Sequence, residues 1–411
     1  MEKLSKVNSY LIGIFIGSLI LINCRNTREV TFEELRSPEH LGIDTLLELY
    51  ISKYKKFIDS HPDSTLFPRS FENGQLHMVP SEDWTSGFFP GILWYLYEYS
   101  GDIGFLQAAK SWTYALKDQS YNTSTHDVGF IINSSYGQGY RITRDESFKK
   151  VLNIAAESLA SRYVDEIGCI KSLDEIDHFD YPVLIDNMVN LEILYKTWKW
   201  DNNKKYYHIA NKHAINTMER QFRPDFSSFQ VVDYDQGSFL PKYKGSIQGY
   251  SDSTAWARGQ SWGLYGFVMA FRETRDRVYL DQSIRIASFI IGHENFPEDC
   301  IPYWDYLSPD IPNTYRDATA AAILASALIE LSSFTEVKQP ELYLNVAKNI
   351  IHSLVTEGYI TDLNEGENFV LNQGVGSIPA NREVGVPIIY GDYYLLEALM
   401  KYKNLNIDEM E

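Results

Sequence analysis

The chain has 411 residues, 44% of them hydrophobic and 22% charged, so it carries enough apolar side chain for a large core. Its formal net charge is −18, with no basic run past the N-terminus, which argues against nucleic acid or an anionic membrane surface as partners, since both need clustered Lys and Arg. Aromatic residues make up 14%, including 29 Tyr, a supply of flat faces with polar rims that serves sugar stacking as well as core filling.

The first residues read as an address. Lys3 and Lys6 precede an apolar stretch from Leu11 to Ile22, too short to span a bilayer and suited to a signal-peptide core. Cys24 follows in Leu21-Ile22-Asn23-Cys24, which resembles a relaxed bacterial lipoprotein box, with Asn23 where Gly or Ala is usual. The expectation is a signal peptide over 1–23, a tether over 24–38, and an exported protein held at the cell envelope or in the periplasm by a lipid on Cys24. Cys169 and Cys300 are the other two cysteines. They could form one bridge, but no disulfide framework exists, so stability must come from the core.

From residue 39 to 405 no linker or charge block interrupts the pattern, and a single domain is expected. Apolar spacing predicts helices over 41–60, 87–100, 103–118, 127–136, 146–163 and 184–199, then over 203–221, 255–274, 277–293, 317–334, 339–357 and 391–403. Turns of two to four residues, such as Ser100-Gly101-Asp102 and Asp201-Asn202-Asn203, make neighbours antiparallel. Six such hairpins closing on themselves give an all-α (α/α)6 toroid. No fixed repeat of 34 or 40 residues supports an open solenoid. The irregular stretches 164–182, 223–254 and 294–316 are expected at the pocket rim. Phe229 to Tyr234 reads there as part of a small β-hairpin.

Four segments place polar groups where a structural helix would carry apolar ones. In Asp83-Trp84-Thr85-Ser86-Gly87-Phe88, the Trp84 and Phe88 rings could face a sugar or simply pack a helix entry. In Thr125-His126-Asp127-Val128-Gly129-Phe130, Asp127 could serve chemistry or only the positive end of a helix dipole. In Ile185-Asp186-Asn187-Met188, Asp186 interrupts an apolar run; lost solvation favours its neutral form and raises its pKa, and the alternative is a core carboxylate satisfied by backbone donors. Last, in Trp256-Ala257-Arg258-Gly259-Gln260-Ser261-Trp262, Arg258 and Trp262 share a helix face. They could cradle a ring carboxylate, or Arg258 could satisfy an internal acid.

Together, and with Arg316-Asp317-Ala318-Thr319 and Tyr390-Gly391-Asp392-Tyr393-Tyr394, these blocks resemble the signature segments of unsaturated glucuronyl hydrolases, glycoside hydrolase family 88, in family order over residues 40–403. The resemblance implies that Asp186 is the general acid and base, that Asp127 is the second essential carboxylate, and that Trp84, Phe88, His126, Gln248, Arg258 and Trp262 contact substrate. Gln230 stands where many members have His, and Leu173 where many have Trp, both close to the sugar in relatives. The loop Gly374 to Arg382 lies where relatives tune sulfate recognition.

The implied reaction is hydration of a vinyl ether. A 4,5-unsaturated uronic acid is protonated at C4, water adds at C5, and the hemiketal rearranges and expels the aglycone. One carboxyl must arrive protonated and later accept a proton. Burial and a neighbouring Asp127 would both raise the pKa of Asp186. The chemistry requires no metal or other cofactor, and no clustered Cys/His ligand pattern is present. Two other readings compete. An unsaturated rhamnogalacturonyl hydrolase acting on pectin fragments would tend to carry Asn-Gly where this chain has Gln260-Ser261. A non-catalytic glycan-binding lipoprotein would have no use for a desolvated acid at Asp186.

Overall fold

Short-range signals set the repeating unit. Four times, a helix ends on a residue in the left-handed region and the next residue caps the following helix: Gly101-Asp102, Arg144-Asp145, Asn202-Asn203 and Arg275-Asp276. The first member breaks the helix, and the Asp or Asn side chain takes an N–H two residues on, satisfying an otherwise orphaned donor. Such a link reverses the chain in two residues and forces an antiparallel hairpin.

The computed structural model describes residues 43–408 apart from 63, 175–177, 357, 363 and 364. The signal peptide, the tether and Cys24 lie outside the described residues. Twelve helical rods appear among those described: α1 (Ile43–Ser60), α2 (Phe88–Ser100), α3 (Ile103–Ala115), α4 (Val128–Ile132) continued through a π-turn into α5 (Gln138–Thr143), α6 (Glu146–Ala160), and α7 (Asn187–Asn190) continued by α8 (Glu192–Asp201). The remainder are α9 (Lys204–Arg220), α10 (Ala257–Thr274), α11 (Arg277–Gly292), α12 (Ala318–Ser332), α13 (Pro340–Thr356) and α14 (Ile389–Asp408).

Inner and outer rods alternate. The inner ones, α2, α4–α5, α7–α8, α10, α12 and α14, each pack on the next, and α14 returns to α2 to close the ring. This is the (α/α)6 toroid. Inner α12 is buried nearly all round and is rich in Ala, which lets its neighbours approach on every side. Outer α6 buries one face, with Phe148, Val151, Leu152, Ala155, Ala156 and Leu159 at helical spacing.

The expected rod over 127–136 runs on to Thr143, because the π-turn at Asn133–Gly137 carries the helix through a Gly and Ser stretch rather than ending it. The rod expected from 184 begins at Asn187, since Pro182–Leu184 pairs with Val231–Tyr234 as a strand. The expected β-run at 229–234 therefore lies in a three-stranded sheet, β5 (Pro182–Leu184), β6 (Val231–Tyr234) and β7 (Pro241–Gly245). Three two-stranded hairpins complete the inventory: β1 (Phe67–Glu72) with β2 (Gln75–Val79), β3 (Tyr163–Val164) with β4 (Cys169–Ile170), and β8 (Gly374–Ser377) with β9 (Arg382–Val386). Cys169 and Cys300 are buried free thiols.

The C-terminal ends of the inner rods are tied by buried charge. Arg272 bonds to Glu192, Glu273 and Glu330, while Lys401 reaches Glu330 and Glu397. The starts of the inner rods lie at the opposite rim, where Asp127 and Asp186 leave their helices uncapped.

Candidate active site

Asp127 and Asp186 occupy equivalent places, each the residue preceding an inner rod, and neither side chain caps its helix. Two features hold these rod ends together. Gly129 has no room for a side chain, because a Cβ there would lie 2.8 Å from Asn190 Cα and 2.4 Å from Asn190 Oδ1. Asn190 Oδ1 in turn accepts the Phe130 N–H at 2.6 Å, stapling the start of α4 to α7. On the other side, His126 N–H donates to Ser172 O at 2.8 Å and Thr125 bridges Leu173, so the loop that carries Leu173 sets the position of His126.

The result is a cluster. One ligating atom from each of His126, Asp127 and Asp186 lies within 4.8 Å of the others. His126 Nε2 is 3.4 Å from Asp127 Oδ1, and Asp127 Oδ2 accepts the Thr125 hydroxyl at 2.7 Å. Asp186 Oδ1 is sealed with no hydrogen-bond partner, although the residue as a whole remains partly exposed. Its carboxyl is pushed above the usual carboxylate range, first by desolvation and further by Asp127, against the opposing pull of His126 and Arg258. Such a carboxyl holds its proton more tightly than a solvated one and stands beside a second carboxylate, as proton transfer to carbon requires. The same three donors could approach a cation.

Around the cluster the residues singled out in the sequence divide. Trp84 is half-buried and lies tilted against Tyr390, with ring centroids 5.0 Å apart. Phe88 and Trp262 are 0% and 2% exposed. They pack behind the wall, Phe88 on Trp84 and Phe130, and Trp262 on Phe130 and Tyr394, so their rings support the surface instead of forming it.

Arg258 has internal partners. It is 2% exposed, donates to the carbonyls of Val375 and Gly376, and lies 3.5 Å from Asp317 Oδ2 and over the Trp256 and Tyr390 rings. Gln230 Nε2 donates to Gln248 Oε1 at 2.7 Å, while Gln230 Oε1 receives the N–H groups of Ile247 and Gln248. Gln248 Nε2 then donates to Gly376 O. One chain of bonds thus links β6, the loop after β7, and β8 to Arg258. Leu173 lies at the site's edge through its bridge to Thr125, and Arg382 is exposed on β9.

Three participants were not assigned roles from the sequence: Tyr390, Asp317 and the carbonyls of β8. Tyr390 and Asp317 stand in the quoted blocks, where their polar character was the available signal. Main-chain carbonyls leave no trace in a sequence. Asp317 Oδ1 caps α12 and accepts Val375 N–H, anchoring the hairpin that holds Arg258.

The sequence profile described as Glycosyl Hydrolase Family 88 matches residues 57–401. The chain belongs to that family. An unsaturated glucuronyl hydrolase of Formosa agariphila is 41% identical over 358 residues, which is 86% of this chain and 89% of the relative. An unsaturated chondroitin disaccharide hydrolase of Streptococcus pneumoniae is 29% identical over 397 residues, 92% of this chain and 99% of that protein. Among solved structures, an unsaturated glucuronyl hydrolase specific for heparin superposes with a TM-score of 0.86 at 38% identity, covering 89% of this chain and 98% of the other.

Proposed function

We propose that this chain removes 4,5-unsaturated glucuronic acid from the non-reducing end of lyase-generated glycosaminoglycan-type oligosaccharides, with Asp186 as the acid and base. One observation carries the assignment of roles: Asp186, held above its ordinary pKa, lies in one cluster with Asp127 and His126 at the start of adjoining inner rods. The family match and the glucuronyl hydrolases of similar sequence and fold support the substrate class.

The Asp186 carboxyl gives its proton to C4 of the vinyl ether, and positive charge develops at C5 and the ring oxygen. The carboxylate so formed takes a proton from water as the water oxygen bonds to C5. The resulting hemiketal breaks its bond between C5 and the ring oxygen, leaving a ketone at C5 and a hemiacetal at C1 that expels the aglycone alcohol. Asp127 keeps the Asp186 proton bound until substrate arrives and then faces the developing positive charge. In inner rods α2, α4, α7 and α10 the side chain of the residue before the helix leaves the helix N–H groups alone, and the positive dipole ends gathered at this rim favour an anionic sugar on a chain of net charge −18.

Loss of the C4=C5 absorbance tests this with a panel of lyase-made disaccharides from chondroitin, hyaluronan and heparin. Folded protein that bleaches none of them refutes the activity. Asp186→Asn should retain the fold and bleach none; surviving turnover would remove Asp186 from its role. For location, Lys3, Lys6, the apolar run Leu11 to Ile22 and Cys24 support export with a lipid anchor. Cys24→Ser should release the protein from the membrane fraction, and unchanged partitioning would refute the anchor.

A further inference from the structure

Three buried polar atoms without a partner among the described residues belong to side chains tied to one stretch of chain: His126 Nδ1, Asn187 Oδ1 and His213 Nε2. His213 belongs to outer rod α9 and is 0% exposed. One short strand ties the three residues together. Ile170 N–H donates to His213 Nδ1 at 2.9 Å, Ile170 O accepts from Asn187 Nδ2 at 2.9 Å, and Ser172 O accepts the His126 N–H at 2.8 Å.

Their hydrogen-bonding characters are complementary. Because His213 Nδ1 accepts a backbone N–H, its proton must sit on Nε2, making that atom a donor. Burial pushes the imidazole down to about 3, so the ring stays neutral. Asn187 Oδ1 can only accept. In its neutral form His126 places its proton on Nε2, which faces Asp127 Oδ1, and Nδ1 is then an acceptor. One donor and two acceptors match the bonding capacity of a single water, and buried waters characteristically make about three such bonds.

We infer that His213 is a positioning residue for the reaction: through a water shared with Asn187 Oδ1, its Nε2–H fixes His126 as the Nε2–H tautomer and aims that proton at the carboxylate pair. An imidazole held this way keeps Nε2 as a donor at the site throughout the cycle. The opposite tautomer would set two acceptors, Nε2 and Asp127 Oδ1, against each other. The kinetic part of this inference rests on the activity proposed above; the tautomer part does not.

Two variants separate the residue's structural and positioning roles. In His213→Asn the amide oxygen replaces Nδ1 and still accepts Ile170 N–H, but the Nε2 donor is gone. In His213→Gln the amide nitrogen replaces Nε2 and the Ile170 acceptor is lost. We expect His213→Asn to keep a near-wild-type Tm while kcat falls by about tenfold or more. His213→Gln should lose Tm yet keep most of its kcat. The 15N imidazole shifts of His126, in protein labelled at histidine, should report the Nε2–H tautomer in wild type and its loss in His213→Asn. Wild-type kcat in His213→Asn, or an unchanged His126 tautomer there, overturns the inference. Should wild type bleach no disaccharide, the activity falls, and the 15N spectra still decide the role of His213.

Discussion

Replacing Gly129 with Ala asks how closely two inner rods must approach for catalysis. The new Cβ would sit 2.8 Å from Asn190 Cα and 2.7 Å from Asn190 Cβ. Ordinary carbon contacts lie near 3.5–4 Å, so the start of α4 must retreat from α7 by about 0.7–1 Å. Asn190 Cα is main chain, and no rotamer change can absorb the clash. Asp127 rides on α4 and Asp186 on α7, so the retreat opens the gap between the carboxylates and stretches the bond from Phe130 N–H to Asn190 Oδ1. Overpacking of this kind costs about 1–3 kcal/mol of stability. A displacement of about 1 Å at reacting groups can cost on the order of a hundredfold in rate. The assay is initial rate of C4=C5 absorbance loss under saturating disaccharide, with a thermal melt on the same preparation. We expect Gly129→Ala to fold with a lowered Tm and to lose kcat by about 10- to 100-fold. A variant with kcat within about twofold of wild type and unchanged Tm would refute the claim that this contact sets the carboxylate geometry.

Three further outcomes follow from the charges. Asp186 has a folded pKa above its unfolded value of 3.8, so the folded state binds the proton more tightly and stability falls as pH rises from the unfolded to the folded pKa. Asp186→Asn should therefore raise Tm, and by more at pH 7 than at pH 4; an equal or opposite difference in paired melts would contradict the shift. Glu192 behaves in reverse: burial alone would raise its pKa, but Lys196 and Arg272 pull it from 4.5 down to about 2. Its contribution, roughly 3 kcal/mol, is present above pH 4.5 and lost as pH falls toward 2. Glu192→Gln should flatten that part of the acid unfolding curve, and an unaltered curve would show that the pair contributes nothing. Arg258→Met should leave Asp317 Oδ2 buried without its cation and destabilise the chain by about 3 kcal/mol in urea titration. A loss of activity at wild-type stability would instead point to direct contact of Arg258 with substrate.

The hairpin plan was legible because its signals are local. Helical spacing and short links such as Ser100-Gly101-Asp102 and Asp201-Asn202-Asn203 each act within a few residues, and they suffice to predict alternating antiparallel rods. The polar interruption at Asp186 was likewise visible, since a buried carboxyl is costly unless it is paired or functional, whereas Asp127 by itself read equally well as a partner of a helix dipole.

Tertiary structure decided everything that depends on how those rods are turned and spaced. Phe88 and Trp262 lie on helices that the sequence placed correctly, yet Phe88 packs on Trp84, and Trp262 on Phe130 and Tyr394, because rod rotation is set by the whole ring. Arg258 is occupied by carbonyls of Val375 and Gly376, groups that every residue possesses and no sequence pattern distinguishes. The pairing of Asp127 with Asp186 and the linkage of His126 to His213 through Ile170 and Ser172 join segments far apart in the chain. Closure of the ring brings such groups together, and desolvation there gives Asp186 the proton affinity on which the proposed chemistry depends.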